Sequence, residues 1–536
     1  MNKEFSRAAS VCLLSSSLIL VACSQTEDET YSVSGTVSGL SRVVSLTLDS
    51  ETIQVEADGD FAFANPLADG SSINISASEN MFQRCDVGGP TSVSGADVTD
   101  ITVECTTTKY FVGADATAGE ELWRTDGTVE GTYIVKDINS GSANSGVDQL
   151  TEMGDQLFFT ANNGVDGIEL WKSDGSAAGT MMLKDITPSG YSTPQQLTPM
   201  GNILFFSAND GVNGSDLWKS DGTVAGTVKV KEMGGTGGGG PGFITAMGNN
   251  IYFQASDGVA GWELWTSDGT TDGTFMLADL VDGAAYGNPG RFTQVGDTLY
   301  FVADIDGVVD SALWKTDGTA QGTTVVKNFN AGNSDFISDL TPVNGELYLM
   351  ASETDLSEDK KLWKTDGTTT TLINVTNTNG DVSANGELTA FGNELYFKSL
   401  DLTDGIELWK TDGTDAGTVM VKLVDSVLTL NPIGLVAASE HLYFTATDAT
   451  NGKALWKTDG TETGTVLVKD IDTTTALNLR SLKDSNAPPF TWAFGNVIYF
   501  WDANQFPWAL YRSDGTDAGT YTITPSTLQY PPGGGT

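Results

Sequence analysis

The chain is short of basic residues. Lysine and arginine together number 27, against 70 aspartates and glutamates, for a net charge of −43. Nucleic acids and anionic lipids are bound through basic surfaces, so this balance argues against both as partners. It favours solubility, and it favours cations or basic proteins as ligands.

Histidine and cysteine are also scarce. The only histidine, His441, cannot supply a metal centre built from several histidines, and its position at a predicted hairpin turn indicates a surface residue rather than a catalytic base. No CxxC pair or Cys/His cluster occurs, which excludes a zinc site of the usual kind. Cys12 and Cys23 lie in the N-terminal segment, so Cys85 and Cys105 remain, and in an exported protein they are predicted to form a disulfide.

The N-terminal apolar run, Val11–Ala22, is too short to span a membrane. Together with Lys3 and Arg7 before it, this run predicts a secretion signal over residues 1–22. An ordinary signal peptide followed by an incidental cysteine is one reading of this segment.

The other reading starts from Leu20-Val21-Ala22-Cys23, which resembles the lipobox of bacterial lipoproteins. The resemblance implies that Cys23 is acylated, with palmitate among its chains, and begins a polar tether over residues 23–29. Ser24 in second position implies the outer membrane of a Gram-negative bacterium. A multiply acylated cysteine would anchor the protein stably.

From Thr30 to about Thr107 the sequence alternates apolar and polar residues in short runs, such as Tyr31–Val37 and Val44–Leu48. Gly, Asp and Pro interrupt these runs. Such a pattern predicts about seven strands of a small β-sandwich over residues 30–107. The GTVSGL stretch from Gly35 and the DGDFAFANPLADG stretch from Asp58 resemble immunoglobulin-like or carboxypeptidase-regulatory-like domains. The resemblance implies a spacer whose last strands the disulfide would link.

Most of the remaining chain is one unit repeated. The segment ELWRTDGTVEGTYIVKDI begins at Glu121, and near copies of it follow at intervals of about 47 residues. The aromatic residues of the copies are Trp123, Trp171, Trp218, Trp265, Trp314, Trp363, Trp409, Trp456 and Tyr511. Features that all copies share are expected to serve folding, so function is expected elsewhere.

Residues 197–233 show the unit most clearly. Strands are predicted at Leu197–Met200, Leu204–Ala208, Asp216–Lys219 and Thr227–Lys231. Four short antiparallel strands with Gly, Asn and Asp in their turns are typical of one propeller blade. The sequence therefore predicts an all-β chain in which the sandwich precedes a β-propeller, residues 108–530, of about nine four-stranded blades. Eight blades and a capping unit are the alternative.

The first unit lacks its first strand and begins at Tyr110–Val112. We expect the tail residues Thr527–Tyr530 to supply this strand, so that the two ends of the array share one blade. Residues 531–536, rich in Pro and Gly, are predicted to be disordered.

The repeat resembles the ELWxxDGT repeat family of bacterial exported proteins. Nine copies of the pattern carry the resemblance. It implies a β-propeller-like surface protein without known catalytic residues, and it implies no particular ligand.

Every copy places an aspartate before a glycine in its turn, and these residues are Asp126, Asp174, Asp221, Asp268, Asp317, Asp366, Asp412, Asp459 and Asp514. Aspartate accepts backbone N–H bonds in turns, and glycine adopts the left-handed conformation that turns need. We expect a structural role for these aspartates, since nine equivalent turns cannot form one active site. The repeated tryptophans are expected to fill the space between adjacent blades.

Aromatic residues that depart from the repeat are the candidates for ligand contact. These residues are Trp262, Trp501, Phe506 and Trp508. If the last three are exposed together, they form an interaction patch.

The loops between second and third strands combine carboxylates with glycine. Oxygen ligands on flexible loops are what calcium requires. Asp166, Glu169, Asp210 and Asp216 are therefore a candidate calcium site, and a solvated turn is the alternative.

We predict no catalytic residue and no cofactor beyond this candidate calcium. Acidic residues are frequent, but no pair of them departs from the repeat pattern, as we would expect of the two catalytic carboxylates of a glycosidase. The predicted function is a lipid-anchored binding platform for a protein or glycan at the cell surface. A secreted glycan-active hydrolase or lyase is one alternative, and a structural component of a surface assembly is another.

Overall fold

A computed structural model of the chain describes residues 29–78, 80–188, 190–212, 214–233, 239–305, 308–329, 337–353, 360–377, 380–381, 383–384, 386–401, 405–422, 431–448, 452–470, 491–502, 509–525 and 527–529. Every regular element in these ranges is a β-strand. None of the described residues belongs to a helix that could cross a membrane. The predicted signal, Cys23 and the predicted disordered tail lie outside the described residues.

The chain divides into two compact units. The first comprises Met1–Ser38, Val43–Ala77 and Asp86–Glu104, and the second comprises Gly39–Arg42, Ser78–Cys85 and Cys105–Thr536. The sequence predicts a single boundary near residue 107, whereas two short segments before it belong to the larger unit. Phe82, in the second of these segments, is buried in an apolar cluster with Val112 and Phe159 of the larger unit.

Short strands up to residue 107 form three sheets. Their strands are, in sheet order, Gly59–Ala62, Val33–Ser38, Val98–Thr107 and Gln83–Gly88; Glu51–Val55, Val44–Leu48 and Ile75–Ala77; and Thr30–Tyr31 and Leu67–Ala68. Nine strands are present where about seven are predicted, because two-residue strands are too short to show alternation. Val33, Val37 and Leu46 are buried between the strands. The predicted disulfide between Cys85 and Cys105 is present.

The larger unit consists of nine antiparallel sheets, which we number as blades 1 to 9. Blade 1 contains Leu528–Gln529, Lys109–Asp115, Gly119–Thr125 and Tyr133–Lys136; blade 2, Asp148–Met153, Gln156–Asn162, Ile168–Ser173 and Met181–Lys184; blade 3, Gln195–Met200, Ile203–Asn209, Ser215–Ser220 and Val228–Lys231; blade 4, Gly242–Met247, Asn250–Ala255, Glu263–Ser267 and Phe275–Ala278; blade 5, Gly290–Val295, Thr298–Ile305, Val308–Thr316 and Thr324–Asn328. Blade 6 contains Ile337–Val343, Glu346–Ala351, Lys361–Thr365 and Thr370–Leu372; blade 7, Ser383–Ala384 with Thr389–Phe391, Glu394–Asp401, Gly405–Thr411 and Val419–Lys422; blade 8, Ile433–Ala437, Leu442–Asp448, Gly452–Thr458 and Val466–Lys469; blade 9, Thr491–Phe494, Val497–Asp502, Ala509–Ser513 and Tyr521–Thr522. A separate hairpin pairs Thr376–Asn377 with Gly380–Asp381.

This arrangement is a β-propeller, as predicted. The first strands of successive blades contact one another from blade 2 to blade 9, which places these strands at the centre towards which the sheets converge. In blade 3 the first strand starts two residues earlier than predicted. The reason is a bulge between Gln195 and Thr198, which breaks the alternation that the prediction follows.

Neighbouring blades pack through the repeated tryptophan. Trp218 of blade 3 lies in one apolar cluster with Phe158 and Leu170 of blade 2. Within its own blade it stacks on the cross-strand partner Phe206, with 6.4 Å between ring centroids. The indole therefore occupies the space between blades.

The Asp-Gly turn adds a second contact between neighbours. The glycine of each turn lies against an aromatic ring of the preceding blade, as Gly318 does against Tyr252. A side chain there would meet the ring, and the glycine φ of +92° is one that other residues rarely adopt. The second glycine of the DGTxxGT pattern is needed as well, because the aspartate carboxylate fills the place of its missing Cβ, as Asp221 does at Gly226.

The two ends of the array meet in blade 1. Leu528–Gln529 pairs antiparallel with Lys109–Asp115, as the sequence predicts. Leu528 is buried with Phe111, Trp123 and Trp501. The turn glycine Gly127 lies against Tyr499 of blade 9, so blades 9 and 1 share the glycine–aromatic contact that other neighbours make.

Candidate functional site

The nine turn aspartates make the same local bonds. In each turn the carboxylate accepts the N–H of the residue two positions later, at 2.7 to 3.0 Å. In eight of the turns it also accepts that residue's hydroxyl, as Asp174 does from Ser176. This hydroxyl is the main cause that lowers the pKa of Asp174 below its usual value. Each of these carboxylates is thus engaged within its own turn.

The acid of the ELW pattern has a role that the sequence does not reveal. Glu121, Glu169, Asp216 and Glu263 are fully buried on third strands. Each accepts the backbone N–H of the residue 17 positions later, which begins the connection to the next blade. Burial is the main cause that raises the pKa of Glu121 and of Glu263 to about 7. These acids therefore secure the connecting segments.

The candidate calcium site does not assemble. Glu169 accepts the N–H groups of Ile186 and Ser192, and Asp216 accepts Lys229, which also pairs with Asp210 at 2.7 Å. Asp166 accepts the side-chain amide of Asn163. No group of three His, Cys, Asp or Glu able to hold a metal occurs among the described residues. The structure therefore does not bring these four carboxylates into one group, and internal donors occupy at least one oxygen of each.

The aromatic residues that depart from the repeat do not form one surface. Trp501 is 3% exposed and packs between blades 9 and 1, so the prediction that it joins an exposed patch is wrong. Phe506 and Trp508 lie outside the described residues. Trp262 is half-buried before the third strand of blade 4, and its carbonyl accepts the N–H groups of Gly287 and Asn288.

A different set of side chains stands out at the centre of the propeller. In blades 2 to 6 and in blade 8 the second or third residue of the first strand has a positive φ, and in blade 7 Glu387, between the two short first-strand segments, does; these φ values lie between 55° and 69°. We call these residues the bulge ring: Gln149, Gln196, Phe243, Arg291, Asp339, Glu387 and Gly434. The backbone conformation is the same in all seven blades, whereas the side chain changes from blade to blade.

A threonine two positions later supports the bulge. Its hydroxyl donates to the carbonyl of the bulge residue at 2.8 to 3.3 Å in blades 2 to 7. The Leu-Thr pair in the repeat therefore marks the bulge. In blade 8 valine, Val436, replaces the threonine, and the bulge residue there is glycine.

Side chains of the bulge ring reach towards the first strand of the following blade. Gln149 Oε1 accepts the N–H of Gln196 at 3.1 Å, and Glu387 Oε2 accepts the N–H of Gly434 at 3.0 Å. Arg291 donates to the carbonyl of Ile337. Phe243 lies against Gly290 and is 50% exposed.

Phe243 combines two unfavourable features. A left-handed backbone costs a residue with a side chain about 1–2 kcal/mol, and this large apolar residue is half-exposed. Strained residues of this kind concentrate at ligand sites. Arg291, exposed on the next blade, adds a cation to this part of the ring. Sequence reasoning missed both, although a variable residue inside a repeated strand was a usable signal.

No family model matches the chain, and no curated protein matches it. Solved structures resemble it at low identity. A prolyl endopeptidase aligns with 60% of this chain and 49% of its own (11% identity, TM-score 0.36). Puromycin hydrolase aligns over 63% of this chain and 57% of its own length, with 15% identity and a TM-score of 0.32. The β-propeller domain of the Trilobed protease from Pyrococcus furiosus aligns over 58% of this chain and 92% of its own length, with 12% identity and a TM-score of 0.30. The chain thus spans only about half the length of the first two, and these similarities concern the fold alone.

Proposed function

We propose that this protein is an exported, lipid-anchored β-propeller that binds a protein or a glycan at the cell surface, and that the bulge ring is part of its ligand site. The anchor rests on the lipobox around Cys23. The ligand site rests on one observation, the strained and half-exposed Phe243 next to the exposed Arg291. An aromatic face and a guanidinium together suit a ligand that offers an apolar surface and hydrogen-bond acceptors.

The repeat supports this assignment by elimination. The turn aspartates, the buried ELW acids and the interblade tryptophans are engaged in contacts that hold the blades. The bulge ring is the place where the backbone repeats and the chemistry varies. Rigid scaffolds with variable side chains at one position are typical of binding proteins.

The experiment compares Phe243→Gly and Arg291→Gly with Phe275→Ala. Phe275 is a matched control, because it lies on the outer strand of the same blade and is 49% exposed. Binding of purified protein to a glycan array and to isolated cell-envelope fractions is measured. We expect wild-type protein and Phe275→Ala to bind alike, and the two glycine variants to bind at least about tenfold more weakly.

The variants must also remain folded, which thermal unfolding reports. Equal loss of binding in Phe275→Ala would contradict the assignment of the site. Absence of any ligand for the wild-type protein would contradict the function. Release of shortened glycans, detected by mass spectrometry, would favour the glycan-active enzyme instead.

A further inference from the structure

Three valines are the most exposed large apolar side chains among the described residues. Val165, Val212 and Val259 are 85%, 70% and 80% exposed. Each lies in the loop between the second and third strands of its blade, in the consecutive blades 2, 3 and 4. We call them the valine row. Single exposed apolar residues are common, but three at equivalent positions on adjacent blades form a repeated surface.

The N–H of each valine in the row is bound by a side chain of its own loop. Asn163 Oδ1 accepts the N–H of Val165 at 3.0 Å, Asp210 Oδ1 accepts that of Val212 at 3.1 Å, and Asp257 Oδ1 accepts that of Val259 at 2.8 Å. In each case the side chain bonds to the residue two positions later, which is an Asx turn. The valines are therefore presented by ordered turns.

Blade 1 shows that this turn does not need valine. Its loop has the same bond, from Thr117 N–H to Asp115 Oδ1 at 2.7 Å, and Thr117, exposed, takes the place that valine has in the other turns. The Thr117 hydroxyl also donates to Asp115. Threonine thus adds a hydrogen bond that valine cannot make, so the turn alone does not account for the valines.

Tyrosines and carboxylates lie in loops at the same ends of the strands as the valine row. Tyr191, 62% exposed, lies against Gly167 in the loop of Val165, and the backbone of Tyr286, 55% exposed, lies against Gly261 in the loop of Val259. Exposed carboxylates in the loops on the same side are Asp137, Glu232, Asp257, Asp279 and Asp282. Lys229, in blade 3, is held between Asp210 and Asp216. The surroundings of the valines are therefore acidic.

We infer that the valine row is a docking surface for a cationic, amphipathic protein segment. The apolar side chains of the segment cover Val165, Val212 and Val259, and its lysines or arginines face the carboxylates around them. Acidic surfaces attract basic partners and repel anionic ones. No residue of the valine row belongs to the bulge ring, so the two proposals are tested by different variants.

Other occupants fit these observations less well. A valine side chain offers a glycan no hydrogen bond, and anionic lipid is repelled by the surrounding carboxylates. A second copy of the chain brings the same net charge of −43 to the contact. Each is an outcome that the experiment can detect.

The experiment measures fluorescence anisotropy of a labelled synthetic peptide of leucine and lysine, designed as a helix with all leucines on one face. A comparison peptide has serine at every leucine position. The test variant carries Val165→Thr, Val212→Thr and Val259→Thr, the residue that blade 1 has at this position. We expect the leucine peptide to bind the wild-type protein and to lose roughly tenfold in affinity for each valine replaced. The serine peptide should bind weakly to both proteins.

Val224→Thr is the matched control. Val224 is 63% exposed but follows the Asp221 turn, at the opposite ends of the strands. The Val224→Thr variant should therefore bind the peptide as the wild type does. Thermal unfolding checks that the triple variant is as stable as the wild type, as Thr117 leads us to expect. Equal peptide binding by the wild type and the triple variant, or none by either, overturns the inference. Sedimentation equilibrium completes the test, since self-association that is lost in the triple variant would make a second copy the occupant instead.

Discussion

Truncating the chain after Thr524 should destabilise the propeller, because it removes the strand that the C-terminus contributes to blade 1. Leu528 of that strand is 1% exposed and packs with Phe111, Trp123 and Trp501. Cutting a buried leucine back to alanine costs about 2–5 kcal/mol. Truncation also leaves Lys109–Asp115 as an unpaired edge, so we expect a loss of about 3 kcal/mol or more.

Circular dichroism during heating, with light scattering for aggregation, measures this loss at one fixed scan rate. Truncation after Gln529 is the control, since it keeps the strand and removes only the residues beyond it. This control should melt as the full chain does. Leu528→Ala should lie between the control and the longer truncation, which should melt at a clearly lower temperature and aggregate.

An unchanged melting curve for truncation after Thr524 would refute the reasoning. It would mean that the pairing at Ala114 and Asp115 contributes nothing to the contact between blades 9 and 1. The alternative of eight blades and a capping unit would then be favoured. If both truncations lose the same stability, the residues beyond Gln529 carry the effect.

Three further perturbations test other parts of the structure. Asp221→Ala removes the acceptor for the N–H and hydroxyl of Thr223, so its unfolding midpoint should fall while ligand binding stays unchanged; a stable variant that loses binding would make the aspartate functional. Burial raises the pKa of Glu263 from 4.5 to about 7, so the folded chain holds a proton that the unfolded chain releases. The free energy of unfolding should therefore fall as the pH rises from 4.5 to 7, and Glu263→Gln should reduce that slope by no more than about 1 kcal/mol per pH unit; an unchanged slope contradicts the shift. Asp174, whose pKa is lowered, has the opposite effect, and its contribution is lost as the pH falls below its usual value of 3.8. Cys23→Ser should move the protein out of the membrane fraction, and a processed variant that still sediments with membranes would argue against the lipobox.

The fold was predictable because the same four-strand pattern occurs nine times in the sequence. The period of about 47 residues, the four alternating runs and the turn residues together indicate a blade, and the missing first strand of unit one pointed to Leu528–Gln529. Strand ends were less predictable. In blade 3 the first strand begins two residues before the predicted start, because a bulge interrupts the apolar–polar alternation on which the prediction depends.

Sites were harder to predict than strands, because residue type does not report exposure. Trp501 departs from the repeat and suggested a surface, yet it fills the contact between blades 9 and 1. Glu169 suggested an ion ligand, yet it is buried against backbone N–H groups. Nothing in the repeat pattern singles out Val165, which is 85% exposed. Each outcome depends on neighbours that are distant in sequence.

The bulge ring allows stability and binding to be separated. Gly434 shows that a blade can be built with no side chain at this position. Gln149 and Glu387 accept bonds from the next blade and Arg291 donates one to it, so replacing any of the three changes support as well as binding, and Phe243 is the cleaner test. The side chain of Phe243 has no hydrogen-bonding atom, so replacing it removes no such bond to the next blade.

Phe243→Gly should therefore relieve the left-handed strain and change the free energy of unfolding by about +0.5 to +1 kcal/mol, the strain relieved less the added freedom of glycine in the unfolded chain. A ligand site at this position requires that the same variant bind more weakly. Stability that rises while binding falls is the pattern expected of a strained functional residue. If stability falls instead, the ring of Phe243 supports the fold through its contact with Gly290, and the strain is then a structural feature of the blade.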